Sequence, residues 1–235
     1  MRVRPLGGAT PDAMRLHAPT LFVDLDGTLI DTAPDMGAAL NALRAAYALP
    51  ALPLPTLRSS VSHGAAGLVR LGFPEASATE QEGLRYRFVH LYRERLTEHG
   101  TALFADFAPI LAHLAERKRP WGIVTNKPGW LTDPLLDQLA LPHPPAVVIS
   151  GDTTAERKPH PLPLTTACAQ LGVAPQTCLY VGDAERDIQA ARAAGMPSAL
   201  AGWGYFGADD AVESWGADWH LASPLDLAAP LGLSA

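Results

Sequence analysis

The feature of this chain that most constrains its fold is a series of short apolar runs, each ending at polar or glycine residues. A strand exposed on one face alternates apolar and polar residues, so wholly apolar runs indicate strands buried on both faces. Such strands, separated by helical segments, are typical of a parallel sheet covered on both sides. The sequence therefore predicts an α/β fold with strands at 21–23, 121–124, 146–149 and 178–181, and a weaker one at 198–201.

The interval after the first run is far longer than the later ones, and a crossover helix does not need that length. Helix-like patterns at 34–47, 64–72 and 77–99 occupy it, while the prolines of 50–55 predict a loop. Thr32 is the expected N-cap of the first helix, and Asp35 is expected to complement its dipole. We therefore expect a helical cap at 33–103, inserted into a core of 19–32 and 104–235, with residues 1–18 as an N-terminal tail.

The composition excludes several classes of protein. Hydrophobic residues make up 48% of the chain, enough for a sizeable core, which argues against wholesale disorder. The net charge of −6 does not suit a general nucleic-acid binder, and no apolar run reaches the ~18 residues of a membrane span. Cys168 and Cys178 form no CxxC motif, which indicates buried, reduced thiols. We expect a cytoplasmic monomer or homodimer with neither nucleic acid nor membrane as a partner.

Two aspartates directly follow the first apolar run, in the sequence Asp24-Leu25-Asp26-Gly27-Thr28. Residues i and i+2 of an extended chain point to the same side, so both carboxylates can border one pocket. Such a pair suits two tasks. One carboxylate attacks an electrophile while the other transfers protons, or both give oxygens to a hard cation. A turn or helix cap is the structural alternative, but the complete motif after a buried strand favours chemistry.

A second acidic motif, Gly182-Asp183-Ala184-Glu185-Arg186-Asp187, follows another apolar run. Asp183 and Asp187 are four residues apart, which suits one face of a helix or of the loop leading into it. Together with Asp24 and Asp26 they would form a site rich in carboxylate oxygen. That donor set favours Mg²⁺ over zinc, because no His or Cys cluster accompanies it.

Clustered carboxylates repel one another and a phosphate, so the site needs cationic compensation from a metal or a lysine. Lys158 lies just before a predicted helix that starts near Pro161, and we expect it in the site. Thr125 and Asn126 end the second apolar run and supply a hydroxyl and an amide donor for an oxyanion. The carboxyl ends of parallel strands form the ligand site of such folds, so these residues should converge there.

These four elements, in this order, resemble the motifs of the haloacid dehalogenase-like phosphohydrolase superfamily. Its DxDGT, strand-terminal Thr/Ser, Lys and GDxxxD motifs correspond to Asp24–Thr28, Thr125, Lys158 and Gly182–Asp187. The insert resembles the superfamily's first type of helical cap on a Rossmann-like core. The whole chain most resembles the phosphoglycolate phosphatase group, including its N-acetylmuramate 6-phosphate phosphatase relatives.

The resemblance implies a Mg²⁺-dependent phosphomonoesterase acting on a small phosphorylated metabolite. Asp24 would attack the phosphorus to form an aspartyl-phosphate, and Asp26 would protonate the leaving alcohol and then activate water. The resemblance also implies Mg²⁺ ligands from Asp24, the backbone carbonyl of Asp26, and Asp183, with Asp187 nearby or acting through water. Thr125, Asn126 and Lys158 would bind the phosphoryl oxygens.

The predicted cap contains a segment that resembles the family's specificity loop. It includes Arg58, Ser62, His63 and Gly64. Many phosphoglycolate phosphatases have Gly-Asn-Gly where this chain has Ser62-His63-Gly64, so the substrate stays open between 2-phosphoglycolate and a sugar phosphate. Arg58 could pair with a substrate carboxylate, or both Arg58 and His63 could be ordinary surface residues.

Other functions remain as alternatives. Asp26 argues against carbon–halogen cleavage, since the members that perform it lack the second aspartate. Residues 33–103 contain no lysine, which argues against the phosphonate-cleaving branch and weakens a β-phosphoglucomutase-like phosphotransferase. A non-catalytic binding protein would more often have lost one of the four motifs, all of which are present.

Overall fold

A parallel sheet forms the centre of the molecule, as the apolar runs predicted. The computed structural model describes residues 20–207 and 210–233. Within them the strands are β1 (Thr20–Val23), β2 (Ile30–Asp31), β3 (Ala102–Leu103), β4 (Trp121–Val124), β5 (Val147–Ile149), β6 (Cys178–Gly182), β7 (Ser198–Ala201) and β8 (Trp219–Leu221). Six of them pair in parallel in the order β5-β4-β1-β6-β7-β8, while β2 and β3 form an antiparallel ribbon. The five predicted strands are confirmed to within one residue at each end.

Alternate residues of the central strand enter two different cores. Leu21 and Val23 belong to one apolar cluster, whereas Phe22 belongs to a second cluster together with Tyr180. Both faces are therefore buried, which is why β1 is apolar throughout instead of alternating. Strand β8 escaped prediction because it is short and carries the half-buried polar residue His220 at its centre.

Helices cover both faces of the sheet and form the insertion after β1. They are α1 (Ala33–Ala45), α2 (Leu54–Val61), α3 (Gly64–Gly72), α4 (Ala78–Arg93), α5 (Phe107–Glu116), α6 (Gly129–Leu139), α7 (Leu162–Leu171) and α8 (Glu185–Ala193). Short 3₁₀ helices occupy Pro175–Thr177, Val212–Trp215 and Pro224–Ala228. No helix in the described part of the chain is both long and apolar enough to span a membrane.

The order of the strands places a crevice at the carboxyl end of β1. The chain runs from β1 through the insertion to β4 and β5 on one flank, then returns to β6 on the other. The connections on the two sides of β1 thus leave in opposite directions, which is the topological switch point where α/β folds bind ligands. Three candidate site residues directly follow strands that end near this point, namely Asp24 after β1, Thr125 after β4 and Asp183 after β6.

The insertion consists of α1 to α4, and its largest differences from the sequence prediction concern α2 and the end of α4. The loop predicted at 50–55 ends in α2, because Pro53 takes the N-cap position and Pro55 lies in the first turn, where proline is tolerated. The helix predicted at 77–99 ends at Arg93. The same helix begins at Ala78, because Ser77 is its N-cap residue and forms a capping box with Glu80.

The domain limits of the sequence analysis remain a prediction. The insertion packs into the same apolar cluster as one face of the sheet, since Leu40, Leu68 and Phe88 join Leu21 in it. The ribbon of β2 and β3 connects the insertion to the core at both of its ends. The predicted N-terminal tail, residues 1–18, lies outside the described residues.

Thr32 and Asp35 occupy the positions predicted for the start of α1 but use their side chains differently. Thr32 is the N-cap residue, yet its hydroxyl makes no capping bond and instead donates to Asp26 Oδ1 at 2.7 Å. Asp35 is fully buried and accepts from the backbone N–H groups of His99 and Thr101, each at 2.7 Å. Asp35 therefore ties the first helix of the insertion to the returning chain before β3.

Replacing Asp35 by alanine should lower the free energy of unfolding by about 3 kcal/mol, because two backbone donors lose their acceptor in a buried setting. Urea denaturation followed by circular dichroism measures this loss. Asp137→Ala, at an exposed position of α6, is the matched control and should change the stability by less than about 0.5 kcal/mol. Equal midpoints for the two variants would contradict the role given to Asp35.

Candidate active site

Three buried carboxylates meet at the carboxyl ends of β1 and β6. Asp24, Asp183 and Asp187 each offer an oxygen within 4.8 Å of the others. Burial, followed by the charges of Asp187 and Asp24, raises the pKa of Asp183 to about 7. Burial also raises the pKa of Asp187. A cluster of hard oxygen donors with this surplus of negative charge fits a Mg²⁺ ion.

Lys158 lies within the carboxylate cluster as its internal cation. Its fully buried Nζ is 2.9 Å from Asp24 Oδ1 and 2.8 Å from Asp187 Oδ1. The ammonium also donates to the carbonyl of Val124 at 2.9 Å and the hydroxyl of Tyr180 at 2.7 Å. Every proton of the ammonium thus has an acceptor, as a buried charge requires. Lys158 is not among the residues that line the cavity, and it contacts Asp24 and Asp187 directly.

Asp24 is kept ionised by its neighbours. Burial by itself would raise the pKa of Asp24, but Lys158 and then Arg186 outweigh it and hold this pKa below its usual value. The backbone N–H of Leu25 donates to Oδ1 at 2.7 Å. Asp24 Oδ1 therefore accepts hydrogen bonds from both Lys158 and Leu25. Asp24 also lines the open cavity. The arrangement suits a carboxylate nucleophile.

Two glycines of the acidic motifs let the loops approach one another. Gly27 has φ +81°, and a Cβ there would collide with the carboxylate of Asp183 and the ring of Tyr205. A Cβ at Gly182 would collide with the side chain of Asp187. The carboxylate cluster therefore needs glycine at both positions.

Asp26 faces the cavity from the loop after β1. Its side chain is 20% exposed, and its Oδ1 accepts from Thr32 and from the ammonium of Lys127 at 3.0 Å. Lys127 also donates to the hydroxyl of Tyr92, on α4, at 3.0 Å. Burial would lower the pKa of Lys127, but Asp26 and Tyr92 outweigh it and raise this pKa above its ordinary value.

Lys127 has no assigned role in the sequence analysis. It follows Thr125 and Asn126 directly, and it is one of only three lysines in the chain, with Lys118 and Lys158. The scarcity of lysine in the chain and the position directly after Thr125 and Asn126 were the signals that could have identified it. Its contact with Tyr92 depends on how α4 packs, which local sequence does not show.

Thr125 and Asn126 lie at the end of β4 and line the cavity. The hydroxyl of Thr125 accepts from the backbone N–H of Lys127 at 3.2 Å, which leaves its proton available. The side chain of Asn126 donates to the carbonyl of Lys158 at 2.9 Å and accepts from its N–H at 3.0 Å. Asn126 thus holds the Lys158 segment against β4, while its predicted contact with phosphate stays a prediction.

The specificity segment divides between two environments. Ser62, His63 and Gly64 line the cavity, and Ser62 Oγ donates to Asp183 Oδ2 at 2.8 Å. Arg58 instead forms an ion pair of 2.9 Å with Asp31. Its guanidinium also lies over the ring of Tyr205, 5.0 Å from the centroid. The structure therefore gives Arg58 an internal carboxylate partner and does not bring it to the cavity.

A cavity of about 770 Å³ lies between the insertion and the carboxyl ends of the strands. Its core side includes Asp24, Asp26, Thr125 and the half-buried Arg186, a residue of the second acidic motif that was given no role from the sequence. Burial would lower the pKa of Arg186, but Asp187, Asp24 and Asp183 raise it above its ordinary value. The side formed by the insertion includes Val61, Ala65, Arg70, Glu82, Arg85, Tyr86 and Val89. The cavity thus has an ionic floor and a roof that combines apolar side chains with two arginines and a glutamate.

Comparisons with known proteins agree with this geometry. A family model described as haloacid dehalogenase-like hydrolase matches residues 21–201. A phosphoglycolate phosphatase of Xanthomonas campestris is 46% identical over 92% of this chain and 97% of its own length. An N-acetylmuramic acid 6-phosphate phosphatase of Pseudomonas putida is 39% identical over 91% of this chain and 95% of its own.

A solved structure from Haemophilus somnus, described as a predicted phosphoglycolate phosphatase, superposes with a TM-score of 0.78 at 26% identity. That match covers 90% of this chain and 96% of the other. These matches therefore include the sheet, the insertion and all four motifs of this chain. The chain belongs to the haloacid dehalogenase-like hydrolase family, as its motifs predicted.

Proposed function

We propose that the protein is a Mg²⁺-dependent phosphomonoesterase that hydrolyses a small phosphate ester through an aspartyl-phosphate. The observation that carries this proposal is the pairing of Asp24 and Asp26 in one cavity, with Asp24 joined to Asp183 and Asp187 in the buried cluster. Phosphatase relatives at 39% to 46% identity support the same reaction class.

In the first step, an oxygen of Asp24 attacks phosphorus and the bond from phosphorus to the leaving oxygen breaks. Asp26 donates its proton to that oxygen, so an alcohol departs. In the second step, Asp26 takes a proton from water, and the resulting hydroxide attacks the aspartyl-phosphate. Inorganic phosphate leaves, and both aspartates return to their starting forms.

Mg²⁺ would be held by Asp24, the backbone carbonyl of Asp26, and Asp183, with Asp187 beside it or acting through water. When bound, the ion offsets negative charge on the transferring phosphoryl group. The donor set supports this assignment because its three carboxylates have Lys158 as their only ion-pair partner among the described residues.

Lys158, Thr125 and Asn126 are proposed to act on the phosphoryl oxygens. Lys158 holds and neutralises Asp24, so its charge acts on the phosphoryl group from beside the nucleophile. Thr125 and Asn126 approach it from the end of β4. Arg186 adds a guanidinium on the same floor, which we propose as a further source of positive charge for an incoming phosphate.

Residues 33–103 are proposed to act as a cap over this site. The cavity lies between the two parts, and Ser62 reaches Asp183 from the insertion. A seated cap excludes bulk water and surrounds the part of the substrate beyond the phosphate. Substrate selection would then rest on Ser62, His63 and Gly64.

The substrate is proposed to be a small phosphorylated metabolite. Of the two sequence relatives named above, the one with the higher identity is a phosphoglycolate phosphatase, which favours 2-phosphoglycolate. The cavity volume of about 770 Å³ and its partly apolar roof favour the second candidate, N-acetylmuramate 6-phosphate or another sugar phosphate. A cavity of this size accommodates ligands much larger than a two-carbon acid.

Replacing Asp24 by asparagine should lower kcat by about 10⁴-fold, because the amide cannot attack phosphorus. Release of inorganic phosphate from the best substrate, in the presence of Mg²⁺, measures this loss. Asp137→Asn, at the exposed position on α6, makes the same chemical change outside the site and should keep full activity. Normal turnover by Asp24→Asn would rule out the aspartyl-phosphate.

Mg²⁺ should raise the midpoint of thermal unfolding of the metal-free protein by about 5–10 °C at a concentration near 100 times its dissociation constant. Asp183→Asn should lose that shift, because one charged ligand is gone, whereas Asp137→Asn should retain it. Differential scanning calorimetry after treatment with a chelator makes the measurement without a substrate. A full shift in Asp183→Asn would remove Asp183 from the proposed ligands.

A phosphate-release screen should give the highest kcat/KM with a sugar phosphate if the roof of the cavity selects the substrate. The panel contains 2-phosphoglycolate, N-acetylmuramate 6-phosphate and a hexose bisphosphate. Preference for 2-phosphoglycolate would favour the first candidate instead. Isomerised hexose phosphate without net phosphate release would indicate the mutase-like alternative, and no turnover of any ester would leave the non-catalytic alternative.

A further inference from the structure

Lys127 is a buried cation to which the proposed reaction gives no role. Its side chain is 4% exposed. The ammonium lies 3.0 Å from Oδ1 and 3.3 Å from Oδ2 of Asp26, and 3.0 Å from the hydroxyl oxygen of Tyr92. It also lies 4.5 Å from the centre of the Tyr92 ring. The lysine thus joins a loop of the core to a helix of the cap.

Burying an ammonium is strongly unfavourable unless it is paired with a negative charge or hydrogen-bond acceptors. Among the described residues, Asp26 and Tyr92 are the hydrogen-bond partners that offset this cost for Lys127. A methionine would fill a similar volume without that cost, so packing alone gives no reason for a lysine. Lys127 also lines the cavity, and both oxygens of Asp26 lie within 3.3 Å of its ammonium, so its charge acts directly on Asp26.

The two oxygens of Asp26 are held unequally. Oδ1 accepts from Thr32 at 2.7 Å and from Lys127 at 3.0 Å. Oδ2 has only the longer contact of 3.3 Å with Lys127 among the described residues. With Oδ1 occupied by two donors, Oδ2 is the oxygen available to carry a proton to and from the cavity.

Tyr92 makes the position of Lys127 depend on α4. The tyrosine is 1% exposed, and its ring stacks on Phe88 of the same helix with centroids 6.4 Å apart. Its hydroxyl therefore has a fixed place only when α4 is seated against the core. A displaced α4 would remove one of the two partners of the ammonium and loosen its hold on Asp26.

We propose that Lys127 is a positioning residue that fixes Asp26 for proton transfer to the leaving group, and that Tyr92 links this positioning to the seating of the cap. The inference rests on the proposed role of Asp26 as general acid. An alkyl phosphate needs a proton on its leaving oxygen, whereas 4-nitrophenolate leaves readily as an anion. Loss of positioning should therefore harm alkyl esters far more than the aryl ester.

The experiment compares kcat/KM for 4-nitrophenyl phosphate with kcat/KM for the best alkyl phosphate of the substrate screen. Lys127→Met should lower the alkyl value by about 10²-fold and the aryl value by less than about 10-fold. Tyr92→Phe keeps the ring but removes the hydroxyl, and it should shift the same ratio by about 3- to 10-fold. A general loss of structure would lower both values together and leave their ratio unchanged.

Lys118→Met is the matched control, because it removes an exposed lysine from a turn and should alter neither value. An unchanged ratio in Lys127→Met overturns the positioning role, and an unchanged ratio in Tyr92→Phe overturns the link to the cap. If Lys127→Met does not fold, the ratio in Tyr92→Phe decides the proposal. A wild-type protein inactive on both esters would instead refute the proposed phosphatase, so the two failures are distinguishable.

Discussion

The contact of one buried ammonium with two buried carboxylates is the interaction on which the site depends. Lys158 Nζ contacts Asp24, which directly follows β1, and Asp187, which lies in the first turn of α8 after β6. Three carboxylates in so small a volume would repel one another without it. Breaking a buried ion pair leaves an uncompensated charge, so the site requires Lys158 to stay in place. Asn126 contributes to this, because its side chain holds the backbone of Lys158 next to the end of β4.

A second constraint comes from the shared apolar cluster of the sheet and the insertion. Side chains of α1, α3 and α4 pack together with those of β1, so the roof of the cavity is attached through the same core as its floor. Polar contacts then cross the boundary at defined points. Ser62 reaches Asp183, and Tyr92 reaches Lys127. The geometry of the carboxylates is therefore not independent of the insertion.

Local patterns predicted the five apolar strands and the acidic motifs, but they missed the short strands β2, β3 and β8 and several side-chain contacts. The five predicted strands are confirmed because complete burial removes polar residues from them. Helix α2 was missed because its prolines were interpreted as a loop, although they occupy the first turn. Thr32 was expected to cap α1 through its side chain, but its hydroxyl donates to the carboxylate of Asp26 and accepts no capping bond from the helix. The sequence left Arg58 open between a contact with the substrate and an ordinary surface position, and in the structure its guanidinium forms an ion pair of 2.9 Å with Asp31.

The sequence alone determined that an α/β sheet would present two acidic motifs and a threonine at strand ends, with a lysine before a later helix, because strand burial and residue chemistry are encoded in short segments. It also determined the family, since those motifs occur together and in order. Only the tertiary structure decided which of these side chains contact one another. Lys127 and Tyr92 are 35 residues apart, and Ser62 and Asp183 are 121 apart. Contacts of that range depend on how helices pack on the sheet, and no local pattern encodes that packing.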